Sequence, residues 1–292
     1  MTIPGQQIPA IYHRQIGDVV VTAISDGILE RTHEMMIGVS AEDGRRHLDA
    51  AFRQSFALSV NAFVLHSGGK IILVETGSGN YFGPVAGHLR ANLRIAGIDP
   101  ASIDTVLLTH MHPDHSAGLT DLTTGLANYP NAELVVHENE PRHWFDDAAM
   151  ARGTEREKKL MFQQAREQTA PYLKRMRLFS REGEILPGVT AIPAHGHTPG
   201  DTAFLIDSNG EQLLIWGDTV HIPEVQVPRP EISMVVDTDP SAAAVTRRRI
   251  FDRVASERLL VTGMHLHFPG FGHVARAGQT YAFVPEAWRQ GM

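Results

Sequence analysis

The sequence contains no cysteine. This absence excludes disulfide bonds, zinc sites built from thiolates and cysteine nucleophiles, so nitrogen and oxygen atoms are the donors left for any metal. A serine at a nucleophile elbow is missing too, because no GxSxG segment occurs in the chain. Covalent catalysis through a cysteine or a serine elbow is therefore not expected.

Long apolar runs and an excess of basic residues are absent as well. No segment approaches the roughly 18 apolar residues of a transmembrane helix, and the amino terminus lacks a basic stretch followed by an apolar one. We therefore expect no membrane partner and a cytoplasmic location. The net charge of -7 disfavours nucleic acid as a partner, because phosphate binding requires clustered Lys and Arg. The basic run Arg247–Arg249 is expected on the exposed face of a helix.

The chain has 292 residues, 42% of them hydrophobic, which is enough for a large buried core in a single domain over residues 1–292. Alternating strand and helix patterns predict a layered α/β fold. Strands are predicted at 19–24, 62–66, 71–75, 105–108, 133–137, 189–193, 202–206, 212–216 and 259–262. Helices are predicted at 87–96, 154–175 and 239–256, the last beginning with an Asp-Pro N-cap signal.

Residues 110–115 read His-Met-His-Pro-Asp-His, directly after the apolar run at 105–108. At the end of a strand, positions i and i+2 point to one side, so His110 and His112 are expected to bind one metal ion. Asp114 and His115 fall in the following turn, where they would reach a second ion about 3.5–4 Å from the first. A solvated loop is the alternative for an isolated HxH, and the complete motif disfavours it.

Two later segments read as sharp turns that follow strands. In the segment 194–200, glycines and proline allow the backbone to pass close to an ion, and we expect His197 rather than His195 to be the ligand. In the segment 216–219, an apolar strand ends in Asp218, whose carboxylate is expected to bridge both ions. A structural turn cap is the alternative for that aspartate.

The segment 263–273 offers His265, His267 and His273 for one remaining position, and spacing does not choose among them. Taken together, HxHxDH, GHTPG, GD and a late histidine resemble the metallo-β-lactamase-fold hydrolases, over the chain from about residue 19 to its end. The segments GDTVH and HLHFPGFGH are most similar to the branch with methyl parathion hydrolase and the N-acyl homoserine lactone lactonases. The resemblance implies an αββα sandwich of two mixed sheets flanked by helices.

The resemblance also selects His265 as the late ligand. It implies that one ion is held by His110, His112 and His197, the other by Asp114, His115 and His265, with Asp218 between them. The expected cofactors are two divalent metal ions, zinc by default, although manganese, iron, cobalt and nickel accept the same donors. One departure is Glu75, where the family usually has aspartate, and this change bears on ligand orientation more than on ligand number.

Such a site lowers the pKa of bound water toward ~7, which predicts a hydrolase in which a metal-bridging hydroxide attacks the substrate. Asp114 and Asp218 are the expected catalytic residues, with Asp114 placed to accept or return a proton. The lack of a basic cluster favours a neutral lactone, aryl ester or phosphotriester as substrate. The alternative is a non-hydrolytic, iron-binding redox or sensor module on the same fold.

The substrate pocket is expected to be lined by aromatic residues near the predicted loops and by one histidine, namely Phe82, Trp144, Phe145, Phe268, Phe271 and His221. Core packing is the alternative for each aromatic residue, and an exposed loop is the alternative for His221. The segment before Val19 and the helix at 155–175 are expected to be elements of a possible homodimer.

Overall fold

Two seven-stranded mixed sheets form the centre of this computed structural model, which describes residues 7–8 and 10–291. The strands are β1 (Ile11–Ile16), β2 (Val19–Arg31), β3 (Met36–Ile37), β4 (Phe56–Ser67), β5 (Lys70–Val74), β6 (Thr105–Leu107), β7 (Thr120–Asp121), β8 (Leu126–Ala127), β9 (Glu133–His137), β10 (Met176–Phe179), β11 (Gly183–Leu186), β12 (Val189–Pro193), β13 (Thr202–Ser208), β14 (Glu211–Ile215), β15 (Ser233–Met234), β16 (Leu260–Thr262), β17 (Gly272–Ala277) and β18 (Thr280–Pro285). The first sheet has the order β1-β2-β4-β5-β6-β9-β10, and the second has the order β11-β12-β13-β14-β16-β17-β18.

Helices cover the outer faces of both sheets. They are α1 (Ala41–Ala50), α2 (Leu89–Ile95), α3 (Pro113–Ser116), α4 (Asn139–Trp144), α5 (Asp147–Arg152), α6 (Glu155–Glu157), α7 (Gln164–Thr169), α8 (Pro223–Gln226) and α9 (Pro240–Glu257). Among the described residues, no helix combines the length and the apolar character needed to span a membrane.

The alternation of side chains along β4 shows how the layers form. Phe63 and Leu65 face the second sheet, where they join a buried cluster that includes Phe204 and Ile215. Val64 points to the opposite face, toward the core beneath α2 and α7. Since neighbouring residues of a strand point to opposite faces, a strand buried on both faces is apolar throughout. An equivalent cluster packs α9 on the second sheet, so the predicted αββα arrangement is confirmed.

The strands predicted from sequence are present, but the strands at the edges of the sheets were not predicted. Ile11–Ile16 forms an edge strand that pairs antiparallel with β2. Its side chains are largely half-buried, so the alternation in its sequence is weak. Of the segment before Val19 that we expected at a dimer contact, residues 1–6 and 9 lie outside the described residues.

The region predicted as one helix over 154–175 is helical but divided. It begins at Thr154 with a capping box, in which the side chains of Thr154 and Glu157 each accept from the backbone of the other. A π-helical segment, Lys158–Gln163, then separates α6 from α7, and a 3-10 segment follows α7. Such π-helical segments are frequent at functional sites.

The expectation that Arg247–Arg249 is an exposed basic face is wrong for Arg247. Its side chain is only 1% exposed and donates hydrogen bonds to the carbonyl oxygens of Thr219, Pro230 and Ile232. A buried guanidinium is stable here because backbone oxygens satisfy its donors. Arg247 therefore fixes the loop after β14 against α9.

Candidate metal centre

The predicted ligands lie at one edge of the two sheets, in segments that follow strands. The parallel pairs β5–β6 and β14–β16 end at this edge, and the chain leaves the sheets there. Carboxyl ends of parallel strands collect ligands in this way because their following loops meet at one edge. The segments concerned are 108–116, 194–201, 216–222 and 263–268.

His110 and His112 do not belong to a strand, in contrast to the predicted strand-end alternation. β6 ends at Leu107, and the backbone N–H of Thr109 donates to the carboxylate of Glu75 at 2.8 Å. This hydrogen bond turns the chain out of the sheet before the two histidines, which therefore converge through the loop. Helix α3 then carries the two remaining side chains of the motif.

The structure brings all seven predicted ligands together. Within each of three groups, the candidate donor atoms lie no more than 4.8 Å from one another. The first group contains His110, His112, His197 and Asp218, the second contains Asp114, His115 and His265, and the third contains Asp218, His221 and His265. The ligands other than Asp114 are buried, which removes competing water from most of the cluster.

The carboxylate of Asp218 lies between the first two groups. Its Oδ2 atom is 3.2 Å from His197 Nε2 and 3.6 Å from His110 Nε2. Its Oδ1 atom is 3.2 Å from His115 Nε2 and 3.3 Å from His265 Nε2. One oxygen thus faces each set of histidines, as a bridging ligand requires.

Several of these buried atoms have no hydrogen-bond partner among the residues that the structure describes. They are His110 Nε2, His115 Nε2, His265 Nε2 and Asp218 Oδ1. Buried polar atoms are ordinarily paired, and an unpaired one costs free energy. Their convergence, with nitrogen and oxygen donors only, fits divalent cations as the missing partners.

The second ring nitrogens of His110, His197 and His265 form contacts within hydrogen-bond distance of the surrounding protein, and that of His115 faces a carboxylate. His110 Nδ1 lies 3.0 Å from Thr109 Oγ1, and His197 Nδ1 lies 2.7 Å from Asp237 Oδ1. His265 Nδ1 lies 2.8 Å from the Ser59 carbonyl oxygen, and His115 Nδ1 lies 3.4 Å from Glu75 Oε2. Contacts of this kind fix ring orientation and raise ligand basicity. Glu75 faces His115 at ion-pair distance, without a hydrogen bond between Glu75 Oε2 and His115 Nδ1.

Electrostatics favour the ligating protonation state for His110, His112 and Asp218. Burial lowers the pKa of His110 and His112 well below the usual value, so both rings are neutral at pH 7. Burial opposes ionisation of Asp218, but the surrounding histidines, first among them His115, hold the pKa of that carboxyl well below its usual range. Neutral imidazoles and an ionised carboxylate are the ligating forms. For His115, His197 and His265 the effect of burial is outweighed by neighbouring carboxylates, which raise the pKa, so metal binding must displace a proton from these rings.

Asp237 is a functional residue that sequence reasoning missed, because no motif surrounds it. Its carboxylate also accepts from the backbone N–H of Met234 at 2.8 Å, which aims it at His197. Replacing Asp237 with alanine is expected to weaken metal affinity by about 10- to 100-fold, the usual effect of removing such an orienting group. Competition with a chromophoric chelator measures this loss.

The exposed Asp252, which pairs with Arg276, provides the control for this prediction. Asp252→Ala should bind metal like the wild type. Equal affinities for Asp237→Ala and Asp252→Ala would show that the contact with His197 does not orient the ligand.

A cavity of about 80 Å³ opens beside these ligands, with Phe82, His221 and Asp218 in its wall. An adjoining cavity of about 450 Å³ is lined in part by Trp144, whose ring centre lies 5.3 Å from that of His112. Three of the six predicted pocket residues, Phe82, Trp144 and His221, are therefore next to the cluster. The ring of His221 stacks on that of His265, with centres 5.2 Å apart and an interplanar angle of 23°.

The structure places the other three predicted pocket residues elsewhere. Phe271 is 3% exposed and belongs to the core between the sheets, edge-on to Phe63. Phe145 packs against the core beneath the first sheet. Phe268 lines a separate groove of about 580 Å³. An aromatic residue that is close to a ligand in sequence can therefore pack in the core, which is the alternative interpretation given for each of these residues.

The three other histidines of the late turn segments, His195, His267 and His273, contact residues outside the cluster. His195 packs against His137, with ring centres 4.9 Å apart. His267 contacts the carboxylate of Glu224 at 2.6 Å, and His273 contacts the carbonyl oxygen of Leu259 at 2.9 Å. Of the three late histidines, only His265 lies within the described cluster.

Solved structures similar to this chain have the same fold. The crystal structure of the hydrolase AbOPH, of the beta lactamase superfamily, matches with a TM-score of 0.92 and 30% identity, over 98% of this chain and 100% of that one. AidC, a dizinc quorum-quenching lactonase crystallised with N-hexanoyl-L-homoserine, matches with a TM-score of 0.89 over 97% of this chain and 99% of that one. Its identity of 22% shows similarity of fold alone.

Curated relatives match over shorter stretches. An atrochrysone carboxyl ACP thioesterase from Passalora fulva is 26% identical over 161 residues, which are 55% of this chain and 38% of that protein. The flavo-diiron protein FprA2 from Clostridium acetobutylicum is 32% identical over 77 residues, 26% of this chain and 18% of that protein. The matches thus span well under half the length of either relative.

The family profile described as the metallo-beta-lactamase superfamily matches residues 56–256. That stretch holds the HxHxDH motif, His197 and Asp218. The matched residues, the two-sheet architecture and the full-length structural similarity agree, and the chain belongs to the metallo-beta-lactamase superfamily.

Proposed function

We propose that this protein is a hydrolase that uses two divalent metal ions, with zinc as the default, to cleave a lactone, aryl ester or phosphotriester. The observation that carries the proposal is the carboxylate of Asp218, whose two oxygens face two separate sets of histidine nitrogens. When bound, such ions supply a nucleophile derived from water at neutral pH and polarise the oxygen of the substrate. Their donors adjoin a cavity that admits a small molecule.

The roles of the protein's own side chains follow from their positions. Asp114 is the ligand with solvent access, since its side chain is 15% exposed while its Oδ2 lies 3.5 Å from His265 Nε2. Its carboxylate is therefore assigned to accept the proton released in the attack and to return it to the leaving group. His221 Nε2 lies 3.1 Å from Asp218 Oδ2 at the wall of the cavity, where it is positioned to contact the substrate.

The space around the cluster suits an ester with an apolar arm. Leu160 and Met161, from the π-helical segment, line both cavities, and Trp144 lies at the side of His112. The larger cavity, of about 450 Å³, lies within the usual range for sites that bind small molecules. An acyl chain or an aryl leaving group would fill it.

Steady-state turnover on four substrates tests the proposal: an acyl homoserine lactone, a simple γ-lactone, a 4-nitrophenyl ester and methyl parathion. The zinc-loaded protein is expected to hydrolyse at least one of them with kcat/KM of about 10⁴ M⁻¹s⁻¹ or more, the range of ordinary enzymes. Preference within the panel identifies the scissile bond. Failure on all four, with two equivalents of metal bound, would contradict the proposal.

A redox protein that binds iron at the same donors is the second candidate. It is favoured by the local similarity to a flavo-diiron protein. Metal analysis of the purified protein separates the two. Iron at two equivalents, a spectroscopic response to reductant and absent turnover would support the redox protein over the hydrolase.

A further inference from the structure

The charges around the two cavities are unbalanced, because the carboxylates already have partners. Asp114 and Asp218 belong to the metal cluster. Asp237 contacts His197 at 2.7 Å, and Glu157 accepts from the backbone N–H of Thr154 at 2.7 Å. Each carboxylate that lines the two cavities therefore already has a role: two belong to the metal cluster, one contacts His197, and one caps a helix.

The arginines that line the same space are not committed in this way. Arg31 and Arg156 line the cavity beside Asp218, and Arg152 and Arg156 line the adjoining one. Among the described residues, none of the three forms an ion pair with a carboxylate. Arg31 lies over the ring of Phe82, 5.4 Å from its centre, and donates one hydrogen bond, to the carbonyl oxygen of Glu30.

Like charges placed side by side repel each other, and an anion bound between the half-buried Arg31 and the exposed Arg156 would relieve this repulsion. The planar guanidinium group suits carboxylates and phosphates because it presents several donors in one plane. The contact with Phe82 holds the group at the wall of the cavity instead of in free solvent. Arg31 is half-buried, which strengthens its interaction with an anion relative to an exposed group.

We propose that Arg31 and Arg156 bind an anionic group of the substrate. This inference rests on the proposed function and deepens it, because it specifies an ester or lactone that carries a carboxylate or phosphate away from the scissile bond. The sequence suggested a fully neutral substrate because its basic residues are scattered along the chain. Folding brings Arg31 from the end of β2 and Arg156 from α6 to one cavity.

Two esters that differ in one charge test the inference: the 4-nitrophenyl monoester of adipic acid and its methyl ester. The wild type is expected to prefer the free acid. In Arg31→Gln and Arg156→Gln, the ratio of kcat/KM for the acid to that for the methyl ester should fall by about tenfold, equivalent to about 1.4 kcal/mol. Arg31→Lys keeps the charge but loses the planar set of donors, so it should retain only part of the preference.

The exposed Arg181 lies outside both cavities and provides the control. Arg181→Gln should leave the ratio unchanged. A wild type that does not distinguish the two esters, or variants that lose activity on both equally, would overturn the inference while leaving the proposed hydrolase intact.

Binding measurements test the proposed anion site without requiring turnover. In calorimetric titrations of the zinc-loaded protein, monomethyl adipate should bind more tightly than dimethyl adipate, and Arg31→Gln and Arg156→Gln should reduce this difference. Selective binding without hydrolysis of any ester would support the anion site and count against the proposed function alone. Equal binding of both compounds by the wild type and the variants would refute the anion site.

Discussion

Replacing Asp218 with alanine will abolish turnover. The activity of the zinc-loaded protein is expected to fall by about three orders of magnitude or more, because the site would no longer hold the ions that make water nucleophilic near pH 7. The carboxylate faces both sets of histidines, so its loss affects both ions. Metal content should drop below two equivalents per chain, which mass spectrometry of the dialysed protein measures.

The same substitution should leave the fold intact. In the metal-free protein the ionised Asp218 carboxylate lies among buried histidines, with Oδ1 3.2 Å from His115 Nε2 and 3.3 Å from His265 Nε2, and these histidines hold its pKa low. We therefore expect metal-free Asp218→Ala to fold but to be less stable to denaturant at pH 7 than the metal-free wild type. Asp207→Ala, at an exposed position of β13, is the control that should retain full activity. Activity retained in Asp218→Ala would exclude a bridging role.

The candidate ligands that the structure brings together could be selected from sequence because each belongs to a short motif. His110, His112, Asp114 and His115 stand within six positions, and Asp218 follows an apolar strand directly. The choice of His265 among the three late histidines needed the resemblance to a family, since spacing alone did not distinguish them. The buried strands could also be predicted from sequence, because they are short apolar runs bounded by turns.

The surroundings of the ligands could not be predicted because they depend on contacts between distant parts of the chain. Asp237 contacts His197, forty residues away in sequence, and Arg31 and Arg156 line one cavity only after the layers pack. Phe271 was wrongly predicted to line the substrate pocket, because it is near His265 in sequence but lies in the core between the sheets. Proximity in sequence therefore identified the clustered candidate ligands better than it identified the residues that contact them or line the cavities.

Glu140 is the clearest case of such a hidden residue, and its replacement by glutamine is expected to destabilise the protein strongly. The buried carboxylate accepts four hydrogen bonds: Oε1 from the Thr198 hydroxyl at 2.6 Å and the Gly200 N–H at 2.8 Å, and Oε2 from the Met111 N–H at 2.8 Å and the Trp144 Nε1–H at 2.7 Å. It therefore ties the loop of His112 to the loop of His197.

A glutamine has the same shape but replaces one acceptor oxygen with an NH₂ donor. That donor would face at least one buried N–H group in either orientation of the amide, and leaving such groups unpaired costs roughly 1–3 kcal/mol each. We expect Glu140→Gln to lower the free energy of unfolding by about 3 kcal/mol, as measured by denaturant titration. Turnover should fall as well, because Trp144 and both ligand loops shift together.

The partly exposed Glu138 forms only a surface pair with Arg142, so Glu138→Gln should change stability by less than about 1 kcal/mol. The comparison should be made with and without zinc. The four hydrogen bonds of Glu140 involve no metal, so its effect on stability should persist in chelator. The part of a ligand variant's effect that comes from lost metal binding should disappear in chelator. An unfolding midpoint for Glu140→Gln equal to that of Glu138→Gln would show that the two ligand loops are held by the metal and not by this carboxylate.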